Sequence, residues 1–281
     1  MKSTTGRRVA LSVALVTVLT GTAACTSSGK SEDGPEPTRL PLAALRSAER
    51  STDRAHSARV RSATVMGTQL SVEADGTLGW SGGLTGTLTI TYTGGTTAET
   101  MRALGVTSME ARYLSDAYYA RMGDVFAAKT GGKHWIKYVY DDIKDLAGGA
   151  GANLADQMRT TTPNQLVKLL LDSEDVRKVG EETVDGRPTT HYSGTVEAGG
   201  VADAEVRRRL EEAGVTTETV DIWIDDRDLL VKKVERAETS AGAYTQTAYY
   251  SDYGTKATAA KPPVGDTQDF KELLEKRSST S

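Results

Sequence analysis

The sequence predicts an α+β protein built on a single curved antiparallel β-sheet, a half-barrel covered by several α-helices. Three observations predict it. Most of the chain beyond residue 40 alternates apolar and polar residues with a period of two, the mark of strands with one wet face. Pairs rich in Gly and Asp punctuate those runs where hairpins would turn. Helical periodicity is confined to a few short stretches, with no regular strand–helix alternation of the kind a parallel sheet needs.

Taken in order, Leu40 to His56 opens the folded part as a helix, with Leu42, Leu45, Ala48, Thr52 and Ala55 on one stripe. Leu70, Val72 and Ala74 then alternate with Ser71 and Glu73. Leu84 to Tyr92 is strict: Leu84, Gly86, Leu88, Ile90 and Tyr92 on one face, four threonines on the other. Asp141 to Leu146 reads as a short helix. Thr162-Pro163-Asn164-Gln165 is a capping box with Pro at the first helical position, and Leu166, Leu169 and Leu170 follow on one side. Ala202 to Ala213 is a polar helix stopped by Gly214. Val220, Ile222 and Ile224 share a strand face, Tyr244 to Tyr250 forms a long strand, and Asp266 to Lys276 reads as the last helix. Asp75-Gly76, Gly82-Gly83, Gly94-Gly95, Asp185-Gly186 and Asp225-Asp226 are the expected turns, giving about ten strands.

A sheet that long must curl, split or be covered. Helices near Leu42, Leu166 and Phe270 laid over one face would leave a space lined by the inward members of the strands. The residues expected to line an apolar cavity are Leu70, Val72, Leu84, Leu88, Ile90, Val220, Ile222 and Ile224. The same parity is equally met by a filled core.

The N-terminus has a different character. Lys2, Arg7 and Arg8 precede an eleven-residue apolar run, Val9 to Leu19, followed by the small residues Gly21 to Ala24 and by Cys25, the one cysteine of 281 residues. Residues 1–24 are expected to be a secretory signal peptide. The apolar run is too short to span a hydrocarbon core of about 30 Å. The Ala23-Ala24-Cys25 junction resembles the lipobox of bacterial lipoproteins, with Thr22 where Leu is usual. That resemblance implies acylation of Cys25 and a lipid anchor at the extracytoplasmic face of the cell membrane. Residues 25–39, polar and rich in Gly and Pro after the cysteine, are expected to be a disordered tether, and residues 40–281 one folded domain.

The whole chain carries 34 basic and 38 acidic residues, and loss of the three leader cations takes its net charge from −4 to −7. With no basic run, nucleic acid is excluded as a partner. Gly79-Trp80-Ser81-Gly82-Gly83 matches the G-x-S-x-G elbow, but an alternating strand follows it where a helix is required, so it reads as a hairpin turn. His56, His134 and His191 lack metal-pair spacing, and the aspartates from Asp221 to Asp228 lack the Gly and distal Glu of a calcium loop. No catalytic group, metal site or cofactor motif is identified.

Three segments carry a family resemblance. They are Tyr113 to Met122 followed by His134-Trp135-Ile136-Lys137; Gln165 to Thr195, with a Val-Asp-Gly turn and Thr-x-His-Tyr-x-Gly-Thr; and Val220 to Val234, VDIWIDDRDLLVKKV. With the lipobox and the closing Tyr249-Tyr250-Ser251-Asp252-Tyr253-Gly254, their order resembles the actinobacterial LppX/LprG-type lipoproteins, similar in fold to the LolA/LolB carriers. The resemblance covers roughly Leu40 to Leu274 and implies a non-enzymatic protein that binds or moves an amphipathic lipid or lipoglycan in an apolar cavity. The rival readings are an envelope interaction or sensor protein on the same scaffold, and an extracytoplasmic hydrolase built on Ser81 or a histidine. No protein partner is legible.

Overall fold

A computed structural model describes residues 39–146 and 162–278. The leader, Cys25, the expected tether up to residue 38, the stretch 147–161 and residues 279–281 lie outside the described residues. Pro35–Ser281 form one compact unit. Its described strands are β1 (Ser57–Met66), β2 (Leu70–Gly79), β3 (Thr85–Gly94), β4 (Ser108–Tyr113), β5 (Ala117–Arg121), β6 (Trp135–Val139), β7 (Arg177–Val184), β8 (Arg187–Glu197), β9 (Thr217–Asp225), β10 (Leu230–Thr239), β11 (Gly242–Ser251) and β12 (Thr267–Asp269). The helices are α1 (Arg39–Ala55), α2 (Gly95–Ala103), α3 (Asp124–Lys129), α4 (Tyr140–Leu146), α5 (Pro163–Leu171), α6 (Ala204–Glu212) and α7 (Phe270–Ser278).

All twelve strands form one open sheet in the order β12-β6-β5-β4-β3-β2-β1-β11-β10-β9-β8-β7. Two meanders, β1 to β6 and β7 to β11, are joined where β1 pairs with β11, Val60 opposite Tyr250. Every ladder is antiparallel except the last, where Thr267–Asp269 runs parallel to β6. The expected fold class is the observed one.

Local sequence explains most elements. Leu45, Ala48 and Thr52 of α1 are fully buried, as the stripe requires. The Thr162–Gln165 capping box is formed at the start of α5. Asp203 caps α6 by accepting from the backbone N–H groups of Glu205 and Val206 at 2.9 and 3.1 Å. Gly82-Gly83, Asp185-Gly186 and Asp225-Asp226 fall at hairpin turns.

Several expectations are corrected. Asp75-Gly76 is not a turn but the middle of β2, with Gly76 between Val60 and Leu88. A Cβ there would strike the Thr87 carbonyl, and one at Gly86 the Thr77 carbonyl. These glycines serve a close approach of β2 and β3, and the chain reverses instead near Gly67. Gly94-Gly95 leads from β3 into α2, which, with α3, the periodicity did not predict. The last helix begins at Phe270 rather than Asp266. The residues before it satisfy the free edge of β6, and the Asp266 carboxylate accepts the His134 backbone N–H at 2.8 Å.

The main core lies on one face of the sheet and includes Leu45 and Ala48 of α1, Leu166, Val167 and Leu170 of α5, and Val220, Ile222 and Ile224 of β9. Helix α5 seats closely on β8, where a Cβ at Gly194 would meet Ser173 Oγ and Leu170 Cδ1. Helix α1 is tied to the β9–β10 hairpin: Thr52 Oγ1 accepts from the Leu230 N–H at 3.3 Å, and Ser47 Oγ donates to Asp228 at 2.6 Å.

Candidate functional site

Register places seven of the eight residues expected to line a cavity on this inner face, and Leu84, just before β3, is buried in the same core. On β2 and β3, Leu88 stands opposite Gly76, Ile90 opposite Ala74, and Val72 opposite Tyr92. On β9, Ile222 faces Tyr192 and Val220 faces Gly194 across β8. Their surroundings differ. Val220, Ile222, Ile224, Leu84 and Leu88 are buried in the main core. Ile90 is half-buried against it, and Leu70 and Val72 are half-buried toward the other end of β2.

The two halves of the inner face are thus covered unequally. On β8 to β10, the apolar residues Val196, Val220, Ile222, Ile224 and Leu230 are closed off. On β2 to β6, Val72, Ala74, Ile90, Tyr92, Met109, Tyr113 and Tyr138 keep accessible surface among the described residues. An aromatic row runs along this half: ring centroids lie 5.1 Å apart for Tyr113–Tyr118, 5.7 Å for Tyr118–Tyr138 and 4.7 Å for Tyr138–Phe270. Burial pushes the Tyr138 phenol up to about 12 and raises Tyr113 and Tyr118 further, so all three stay uncharged.

A cavity of about 210 Å³ lies between α5, α6 and the inner face of β9, β10 and β11, reaching Met66 at the end of β1. Leu166 and Leu169 of α5 and Val206 and Leu210 of α6 give it apolar walls. Its floor is polar: Glu218, Lys233, Glu235, Tyr244 and Gln246. Lys233 Nζ lies 2.8 Å from Glu235 Oε2, and both side chains are nearly enclosed. Burial, then the neighbouring Glu235 charge, pushes the Glu218 carboxyl up to about 8, against the opposing pull of Lys233 and Arg209. None of the eight predicted residues lines this cavity.

The floor was missed by sequence reasoning although the signal is present. Glu218 has the parity of Val220, Ile222 and Ile224, and the adjacent Lys232 and Lys233 must point to opposite faces of β10. Lys232 takes the outer face, 4.0 Å from the centre of the Trp223 ring. On that face Trp223 also stacks on His191 at 4.1 Å. The two His191 nitrogens lie 3.0 Å from Glu182 and 2.8 Å from Asp221. Burial alone would raise Asp221, but hydrogen bonds from His191, Arg236 and Ser193 outweigh it and hold the carboxyl below its usual value.

The remaining chemistry-bearing residues lie apart. Ser81 is exposed in the β2–β3 hairpin turn. His56 adopts a left-handed conformation just after α1, and His134 sits between Asp266 at 2.7 Å and Asp124 at 3.4 Å. Among the described residues no group of three or more His, Cys, Asp or Glu side chains could hold a metal ion. No described helix is long and apolar enough to cross a membrane.

Fold and site together define a class: an open antiparallel sheet whose inner face, partly roofed by helices, encloses a recess of ligand size. Comparison with known proteins places the chain more closely. It is 58% identical over 301 aligned residues to a candidate lipoprotein of Streptomyces coelicolor, SCO4650, covering 99% of this chain and all of that protein. It is 50% identical to an uncharacterised 31.2 kDa protein from the rplA–rplJ intergenic region of Streptomyces griseus, covering 85% of this chain and 82% of that one. The chain belongs to the family of these two Streptomyces proteins, one of them a candidate lipoprotein. No family model matches it. Among solved structures, the Mycobacterium tuberculosis lipoprotein LppX aligns over 79% of this chain and 98% of its own, at 15% identity and a TM-score of 0.49. Likeness at that level leaves the functional reading to the chain's own geometry.

Proposed function

We propose that this protein is a lipid-anchored, non-enzymatic envelope protein that holds an amphipathic lipid against the inner face of its sheet. The observation that carries the reading is the unequal cover of that face: apolar and aromatic side chains on β2 to β6 stay accessible although they belong to the core side. Burying each methylene of an acyl chain there contributes about 0.8 kcal/mol, so a single chain supplies ample gross affinity without polar contacts. Cys25 acts as the acylated anchor at the extracytoplasmic face, and the polar stretch after it as the tether of the domain from residue 40.

The test uses the chain from residue 26 onward, which retains the whole compact unit. Solvent extraction followed by lipid mass spectrometry is expected to recover bound lipid, and a fluorescent fatty acid is expected to bind. Ile90→Trp, which fills the accessible half, weakens that binding. A wild-type chain that carries no lipid and binds no acyl probe refutes the reading and leaves an interaction scaffold. For the anchor, Cys25→Ser is expected to shift the full-length protein out of the membrane fraction or leave it uncleaved.

A further inference from the structure

The cavity under α5 and α6 has an unusual charge balance for a space with apolar walls. Lys233 and Glu235 neutralise each other at 2.8 Å. Glu218, enclosed beside them, holds its proton and so stands as a neutral group that can donate a hydrogen bond. Arg209 of α6 lines the same cavity, half-buried, close enough to Glu218 and Tyr244 to favour their ionised forms. Its guanidinium makes no hydrogen bond or ion pair with any described residue. The neighbouring Arg208, by contrast, pairs with Glu212 at 3.9 Å. The site therefore carries one uncompensated positive charge, on the side chain best shaped to take a carboxylate or phosphate through two parallel hydrogen bonds.

Size and register say how such a ligand would lie. The cavity, at about 210 Å³, exceeds the roughly 150 Å³ that accommodates benzene and is smaller than pockets that enclose whole drug-sized ligands. It fits a head group and the first carbons of a chain. The floor continues directly into the half-covered face. Gln246 Nε2 donates to Thr64 Oγ1 at 3.0 Å, Thr64 stands opposite Val72, and Val72 stands opposite Tyr92. Met66, at the cavity edge, stands opposite Leu70.

We infer that the bound amphipath has an anionic head, a carboxylate or phosphate monoester held by Arg209, with its chain leaving over Met66, Leu70 and Val72 toward the aromatic row. The inference rests on the lipid-holding reading above and adds head-group selection to it. Arg209 binds the head directly, Glu218 offers it a proton donor, and the Lys233–Glu235 pair makes the floor polar without adding net charge. Leu70 and Val72 thereby become tail contacts.

The experiment compares dodecanoate, dodecyl phosphate and methyl dodecanoate as competitors of a fluorescent acyl probe on the chain from residue 26 onward. Both anions are expected to bind at least tenfold more tightly than the ester. Arg209→Gln is expected to abolish that preference, and Arg209→Lys to keep part of it. Arg208→Gln, one residue away on α6, is expected to keep all of it. Equal binding of acids and ester by the wild type, or a preference that survives Arg209→Gln, overturns the head-group inference and leaves the lipid reading standing. Inorganic phosphate competing as well as dodecyl phosphate shows a site for free anions and overturns it too. Binding of no amphipath at all overturns the lipid reading itself.

Discussion

Glu218→Gln tests the electrostatics of the cavity floor through stability rather than binding. The native carboxyl titrates near 8 against an ordinary value of 4.5, chiefly because it is buried and secondly because Glu235 is close. The folded state thus holds this proton more tightly than the unfolded chain does. Glu218 therefore contributes stability that is fully present below about pH 4.5 and is lost as pH rises through about 8. At about 1.36 kcal/mol per factor of ten in proton affinity, the full difference corresponds to roughly 5 kcal/mol, and roughly 3–5 kcal/mol once relaxation around Glu235 is allowed for. Glutamine has nearly the shape of the protonated acid and cannot ionise. Urea denaturation of wild type and variant at intervals from pH 4.5 to 8.5 should give curves that diverge, with the wild type losing this increment and the variant not. Parallel curves across that range would show that Glu218 ionises normally in the folded protein, and the account of the floor would be wrong.

Three further outcomes follow from the packing. Ile222, with no exposed surface at the centre of β9, is expected to lose about 2–5 kcal/mol on Ile222→Ala by chemical denaturation, with the m-value unchanged. Gly86→Ala sets a Cβ against the Thr77 carbonyl at a backbone φ of +136°, and is expected to destabilise by about 2–3 kcal/mol, whereas Gly199→Ala, in open space, stays within about 0.5 kcal/mol. His191→Phe keeps a ring on Trp223 but removes one of the hydrogen bonds that hold Asp221 ionised. A depressed carboxyl stabilises above its unfolded value and loses that contribution as pH falls through the folded one, so acid unfolding followed by circular dichroism should begin at higher pH in this variant.

How much could be read in advance depends on the range of the interaction. Strand faces were legible because side-chain alternation is a property of the extended backbone itself: Leu88, Ile90, Val220 and Ile222 point inward as their parity requires. The capping box at Thr162 and the turn at Asp185-Gly186 were legible because their partners lie within a few residues. Asp75-Gly76 misled because Gly serves two purposes, reversing a chain and letting two strands approach, and only the neighbour across the ladder tells them apart.

The sequence by itself determined the open antiparallel α+β class and the inward faces of β2, β3 and β9. It did not determine which inward residues would be enclosed and which left accessible. That was decided by long-range pairing, β1 against β11 and β12 against β6, and by where α1, α5 and α6 settle. The same holds for Glu218, Lys233 and Arg209, which come from two neighbouring strands and a helix and meet only in the cavity. The physical reason is that apolar burial is non-directional: an alternating strand needs cover on one face, but nothing local specifies the covering element or how completely it fits.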